Sequence, residues 1–106
     1  MRFHLHLFFH LEEQQDIEVM RQRVAAEVPP GVVVGALLPR PAGPLPLPMF
    51  QVECEGSVLT QVEAVLNRHR QGRSVLIHPV HEDEAASHTS MARWLGEPLP
   101  LHLDRL

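Results

Sequence analysis

Cysteine, tyrosine and long apolar runs are scarce or missing in this sequence, and each absence narrows what the protein can be. The chain has one cysteine, Cys54, so no internal disulfide can form and a reducing compartment fits. No apolar stretch approaches the roughly 20 residues that a membrane-spanning helix needs. Histidines interrupt the apolar N-terminal segment, which therefore does not resemble a signal peptide. We expect a cytoplasmic protein that has no membrane partner.

Basic residues are also fewer than acidic residues in this sequence. The 106 residues include 9 lysines and arginines against 13 acidic residues, which gives a formal net charge of −4. The arginines are interspersed with acidic residues or stand at predicted helix ends, so they form no basic patch of the kind that binds a phosphate backbone. We therefore expect no nucleic acid partner. The length suits a single domain, residues 1–106, and is too short for two.

Histidine and proline are abundant instead. The chain has 8 histidines and 10 prolines, and histidine in particular is well above ordinary usage. Imidazole is both a common metal ligand and an acid or base that works near neutral pH. The positions of the histidines in the fold therefore decide where chemistry is to be sought.

The order of hydrophobic patterns predicts an α+β domain. Strict alternation indicates strands, helical spacing of apolar residues indicates helices, and proline or glycine ends them. On these grounds we predict strands at 2–10, 32–38, 49–54 and 74–79, helices at 12–28, 57–70 and 82–95, and a stiff extended segment at 39–48. Ser57 is the predicted N-cap of the second helix. This order predicts a ferredoxin-like βαββαβ sandwich, with a four-stranded antiparallel sheet in the order 4-1-3-2 and an extra C-terminal helix.

The strand patterns give the two faces of this sheet different compositions. One face is apolar and is predicted to pack against the helices. The other face displays His4, His6, Phe8, His10, Met49, Gln51, Glu53 and His78. Because the helices cover only the first face, we expect the second face to be open. An open sheet face on so small a domain favours a homodimer.

Three histidines on the second face are predicted to meet. Strands one and four are neighbours in the order 4-1-3-2, which brings His78 near His4 and His6. Three imidazoles on one face could bind Fe, Zn, Ni or Cu, and Glu53 on strand three could add a carboxylate. Two other interpretations stay open on spacing alone. The histidines could be half-exposed polar residues or part of a dimer interface, or the protein could be a histidine-rich domain for metal storage or sensing.

The C-terminal part of the chain carries a specific pattern. It reads His78-Pro79-Val80, Asp83, Ala86, His88-Thr89, Ala92 and Trp94-Leu95-Gly96-Glu97. Three upstream segments add to it: Phe3 to Phe9, Gly43 to Pro46 with the strand that follows, and Ser74 to Pro79. Together these motifs resemble the DOPA 4,5-dioxygenase family, in order and over essentially the whole chain.

The resemblance implies a function as well as a fold. It implies a ferredoxin-like domain, often dimeric, that cleaves the ring of a catechol with O2 at a non-haem divalent metal, expected to be Fe(II). Carried over by position, His6 and His78 are the expected metal ligands. His88 and His4 are the expected catalytic residues, since a histidine base would deprotonate the catechol; for His88 the roles of metal ligand and of structural residue at a helix start stay open. The expected partners are a small catechol-like aromatic substrate and O2.

Five positions depart from the family pattern. Leu45 stands in place of a histidine, Phe8 of a tyrosine, His81 of a threonine, Ser87 of an aspartate and Met91 of a histidine. Losing a histidine weakens a three-ligand metal site, and His10 or His81 could compensate. Because strand one ends close to where strand three begins, we expect His10 to lie near Leu45 and to act as a metal ligand. The alternative is a catalytically impaired paralogue, with no metal, that acts as a ligand-binding or assembly module.

Overall fold

The structure, a computed structural model, describes residues 1–106, which adopt a mixed α/β fold. Its elements are β1 (Arg2–Phe8), α1 (Gln14–Glu27), β2 (Val33–Val34), β3 (Met49–Glu55), α2 (Leu59–His69), β4 (Val75–Pro79), α3 (Glu84–Ser87) and β5 (Arg93–Leu95). Three short 3-10 turns lie at Leu11–Glu13, Gly56–Val58 and Leu103–Arg105. None of the helices has the length and hydropathy needed to cross a membrane.

The strands form one antiparallel sheet in the order β2-β3-β1-β4-β5. The first four strands therefore follow the predicted order, but the prediction of a four-stranded sheet is wrong, because β5 extends it beside β4. The predicted C-terminal helix is also wrong, since α3 has only four residues and ends at Ser87. The hydroxyl of Thr89 donates to the Ala85 carbonyl in place of a continuing helical pattern. The chain then turns back and pairs Arg93 with Ile77.

The other predicted elements have the right type, with different ends. The predicted strand 32–38 is reduced to Val33–Val34, followed by one isolated bridge between Leu38 and Met49. Beyond Val34 only two N–H groups of this segment still bond to β3, those of Gly35 to the Gln51 carbonyl and of Leu38 to the Met49 carbonyl. The prediction of Ser57 as an N-cap is wrong: Ser57 lies inside the 3-10 turn Gly56–Val58, and α2 begins without a side-chain cap.

The face of the sheet that packs against α1 and α2 forms the main core, as predicted. Alternate residues of β1, β3 and β4 point into it together with one face of each helix. Its fully buried side chains include Leu5, Leu7, Phe9, Ile17, Val24, Phe50, Val52, Val62, Leu66 and Val75. Burial of one such side chain contributes about 1.5–3 kcal/mol, so this layer supplies most of the stability of the fold. Cys54 is 1% exposed here, and burial raises the pKa of its thiol, so it is not a reactive nucleophile.

The second face of the sheet is covered, so the prediction of an open face is wrong. Phe8, Leu45, Met49 and Leu76 form a second buried cluster on it, and Trp94 packs against that cluster. Two segments supply the cover: the proline-rich stretch before β3 and the chain from β5 to the C-terminus. A backbone bond from His102 to the Pro44 carbonyl joins these two segments. The homodimer stays a prediction, without the open face on which it was based.

Candidate metal centre

The second face changes from polar to apolar along β1. Side chains alternate across a strand, so His4, His6 and Phe8 lie on this face in that order. Phe8 belongs to the covered apolar cluster, while His4 lies opposite His78 of β4 and Glu53 of β3. The predicted meeting of histidines from the first and fourth strands is confirmed by this register.

Three imidazoles converge at this end of the sheet. The Nε2 atoms of His6 and His78 are 3.0 Å apart, and the rings stack with centroids 5.1 Å apart. The His4 ring lies 5.9 Å from the His6 ring and 5.4 Å from the His78 ring, both edge-on. One ligand nitrogen from each of the three lies within 4.8 Å of the others. Two nitrogens bound at a right angle to one ion, each about 2.1 Å from it, would be about 3 Å apart, so the His6–His78 pair has suitable spacing.

Hydrogen bonds decide which imidazole nitrogens carry lone pairs. The carbonyl of Pro79 can only accept, so Nδ1 of His78 donates to it at 2.9 Å and Nε2 of His78 keeps its lone pair. His6 Nδ1 is buried and has no hydrogen-bond partner. A buried polar atom without a partner is unusual in a folded protein. The cluster therefore offers nitrogen ligands that the protein itself does not satisfy.

The buried location also keeps His6 and His78 uncharged. Burial, reinforced by repulsion from the neighbouring imidazoles, lowers the pKa of His6 well below its usual value. Burial lowers the pKa of His78 to about 4, against a weaker opposing effect of the bond to Pro79. Both side chains are therefore neutral near pH 7. Neutral imidazoles are the ligands that Fe, Zn, Ni and Cu accept, so the donor set fits a divalent transition metal.

A carboxylate lies behind the cluster. Glu53 accepts hydrogen bonds from Nε2 of His4 at 2.7 Å and from the Arg2 guanidinium at 2.6 Å and 3.1 Å. The bonds from His4 and Arg2 hold the pKa of the Glu53 carboxyl below its usual range. Glu53 was considered as a metal ligand from its position on β3, and the structure shows it engaged with His4 instead.

The cluster lies in an open cavity of about 240 Å³. Its lining comprises His4, His6, Pro44, Leu45, Gln51, His78, Pro79, Val80, His81, Glu84, Ser87 and His88. The His88 ring centroid is 4.1 Å from that of His78. Nδ1 of His88 donates to the Glu84 carbonyl at 2.8 Å, which leaves its Nε2 as the nitrogen with a lone pair. His88 thus lies in the same cavity as the three imidazoles of the cluster, and His81 lines that cavity too.

The structure does not bring His10 to this cavity. His10 is exposed beyond the end of β1, where its backbone N–H donates to Glu13, and it lines surface grooves elsewhere. Leu45, the residue it was expected to approach, lies among the cavity residues with the other added histidine, His81. His4, expected to be catalytic, is the third member of the cluster, and its catalytic role stays a prediction. The alternation His-x-His on one strand face was the signal for this, because both residues must share that face.

Comparison with known proteins identifies the family of this chain. Residues 3–105 match the sequence profile of the Dopa 4,5-dioxygenase family. A DOPA 4,5-dioxygenase of Amanita muscaria is 29% identical over 98% of this chain, which spans about half of that protein, 49% of its length. A crystal structure from Nostoc punctiforme, provisionally named a dioxygenase, superposes with a TM-score of 0.86 at 28% identity and covers 97% of this chain and 88% of its own. On this evidence, the chain belongs to the Dopa 4,5-dioxygenase family.

Proposed function

We propose that this protein is a metal-dependent extradiol dioxygenase that opens the ring of a catechol-type aromatic with O2. The observation that supports it is the convergence of His4, His6 and His78 on one cavity in a chain of this family. In this proposal the three histidines hold one divalent metal, Fe(II) by preference. When bound, the metal would supply a place for both catechol oxygens and for O2, and a path for electrons between them.

Three protein ligands leave room for a substrate. Besides the histidines, the cavity lining includes Pro44 and Leu45, which are apolar, and the amide of Gln51. A flat aromatic ring could pack against Pro44 and Leu45 with its hydroxyls toward the imidazoles. The cavity of about 240 Å³ is below the range typical of sites for drug-sized ligands, which favours a single-ring molecule.

His88 is the proposed base for the substrate hydroxyl. Its Nδ1–H is held by the Glu84 carbonyl, so Nε2 is free to accept a proton beside His78. A positioned histidine of this kind contributes about 10²–10⁴-fold to a proton-transfer step. His4 was the other candidate base, but its Nε2 is bonded to Glu53. Extradiol cleavage breaks the ring C–C bond beside the diol and places both atoms of O2 in the product, so no external reductant is required.

Oxygen uptake tests the proposal directly. Untagged protein is loaded with Fe(II) without air and mixed with a panel of simple catechols, while an oxygen electrode and the visible absorption of ring-opened products are followed. We expect one O2 consumed per catechol cleaved. His88→Gln is expected to lower kcat by at least about 100-fold and to leave the metal stoichiometry unchanged. Metal-loaded protein that consumes no oxygen with any catechol would contradict the proposal.

Leu45 favours a second candidate function. Leu45 stands where the family pattern has a histidine. Its side chain is 5% exposed and packs with Phe8, Met49 and Leu76, so it is part of a buried apolar cluster and cannot ligate a metal. In this alternative the chain binds an aromatic ligand or a protein partner without turnover. Catechol binding by calorimetry without oxygen uptake would favour it, above all if Leu45→His then gained ring-cleaving activity. An active parent protein would exclude it.

A further inference from the structure

The contact between His4 and Glu53 has a direction that bears on metal binding. A carboxylate at neutral pH can only accept, so the 2.7 Å bond places the proton on Nε2 of His4. The nitrogen of His4 that is left with a lone pair is Nδ1. If His4 ligates a metal, it must therefore do so through Nδ1, whereas His78 presents Nε2.

Glu53 is itself held in place and is not free to be a ligand. Its Oε1 accepts from His4, and its Oε2 accepts from Nη2 and Nε of Arg2. Arg2 is anchored in turn by Glu55, whose Oε1 lies 2.5 Å from Nη1 of Arg2. Arg2 pairs with Glu55 and His4 with Glu53 in the register of β1 and β3, so the sheet fixes the relative positions of all four side chains.

We propose that Glu53 is a positioning residue for the metal centre. It holds His4 in the tautomer whose Nδ1 can ligate and fixes the orientation of the ring, while Arg2 orients Glu53. Carboxylates that accept from the second nitrogen of a ligating histidine commonly act in this way, and their loss typically lowers metal affinity about 10–100-fold. The inference rests on the proposed function only in that His4, His6 and His78 bind a metal.

Co(II) binding measures the effect apart from activity. Untagged protein is titrated with Co(II) and followed by visible absorption, with Zn(II) competition for affinity, in the parent, Glu53→Ala, Glu53→Gln and Glu55→Gln. Glu55→Gln is the matched control, because it removes a carboxylate bonded to Arg2 that does not contact His4. We expect affinity to fall about 10–100-fold in Glu53→Ala, less in Glu53→Gln, whose amide oxygen can still accept, and not measurably in Glu55→Gln.

The tautomer of His4 gives a readout that needs no metal. Nitrogen-15 chemical shifts of the imidazole rings in the metal-free protein report which nitrogen carries the proton. We expect the Nε2–H form for His4 in the parent and a mixture of tautomers in Glu53→Ala. Unchanged Co(II) affinity and an unchanged tautomer in Glu53→Ala would overturn the positioning role and leave the metal site standing. A parent protein that binds neither Co(II) nor Zn(II) would overturn the metal site, and this role with it.

Discussion

His6 and His78 share one hydrogen bond across β1 and β4, with their Nε2 atoms 3.0 Å apart. Because Nδ1 of His78 donates to Pro79, Nε2 of His78 accepts and Nε2 of His6 donates in the metal-free protein. Adding a proton to either imidazole would place a positive charge in a buried site, where that charge loses its solvation by water. A divalent cation can instead bind between the two Nε2 atoms if the His6 proton moves from Nε2 to the unpartnered Nδ1, so that both Nε2 lone pairs face the ion. The pair therefore disfavours protonation and favours a metal.

Metal content is the first prediction. Untagged protein reconstituted with Fe(II) or Zn(II) is expected to hold about one ion per chain, because three imidazoles converge within one cavity. His6→Ala and His78→Ala each remove one ligand and are expected to reduce affinity by at least about 100-fold. Elemental analysis after gel filtration measures the stoichiometry.

Controls for that experiment come from the same chain. His10→Ala and His102→Ala remove exposed histidines that do not line the cavity, and both are expected to retain the parent stoichiometry. Loss of the metal in His10→Ala, or its retention in His6→Ala, would contradict this site.

The stability of the metal-free protein is expected to depend on pH. The unfolded chain binds protons at His6 and His78 below about pH 6.5, the ordinary histidine pKa. The folded chain resists protonation of His78 down to a pKa of about 4, and burial holds the pKa of His6 well below its usual value. The unfolded state therefore binds more protons in this window, and stability falls as pH decreases from about 6.5 to 4.

Urea unfolding at a series of pH values, in the presence of a chelator, measures this dependence. We expect the midpoint to be level above about pH 6.5 and to fall steadily below it. His78→Gln lacks the titrating group, so its midpoint is expected to fall less over the same range. A midpoint that is flat from pH 7 to 4 in the parent would show that both imidazoles protonate freely in the folded state.

The sequence predicted the main core and the histidine end of the sheet because both depend on short-range periodicity. Alternation along β1 places His4 and His6 on one face whatever the tertiary structure. The order of elements then makes β1 and β4 neighbours, which brings His78 to the same place. Neither step requires knowledge of side-chain contacts.

The segments that cover the second face of the sheet could not be predicted in the same way. The prolines before β3 and the segment from Trp94 to Leu101 have no period, so the sequence gives no sign that they fold over Phe8 and Leu76. β5 has three residues, too few to show alternation. The role of Glu53 depends on the exact register of β1 and β3, and a shift of one residue would turn its side chain to the other face.

Packing in the second buried cluster, around Phe8, gives a third prediction. Phe8 is 2% exposed, and its ring stacks on Trp94 with centroids 5.9 Å apart. Phe8→Ala leaves a cavity under the covering segments and is expected to cost about 3–5 kcal/mol, whereas Phe8→Leu is expected to cost about 1 kcal/mol. Fluorescence of Trp94, the one tryptophan, follows unfolding in urea. Met91→Ala, at a side chain 43% exposed, is the control and is expected to stay within about 0.5 kcal/mol of the parent.

The residues near the starts of α3 and α2, Asp83 and Ser57, give the last prediction. Asp83 caps α3, because its Oδ1 accepts from the Ala86 N–H at 3.0 Å, whereas Ser57 caps nothing. Asp83→Ala is expected to cost about 1 kcal/mol locally, and Ser57→Ala is expected to be neutral within about 0.5 kcal/mol. Since α3 leads directly to His88, loosening it displaces the proposed base. The expected result for Asp83→Ala is faster hydrogen exchange at Ala86 and a several-fold lower kcat with unchanged metal affinity. Equal effects of the two substitutions would show that the cap does not hold His88 in place.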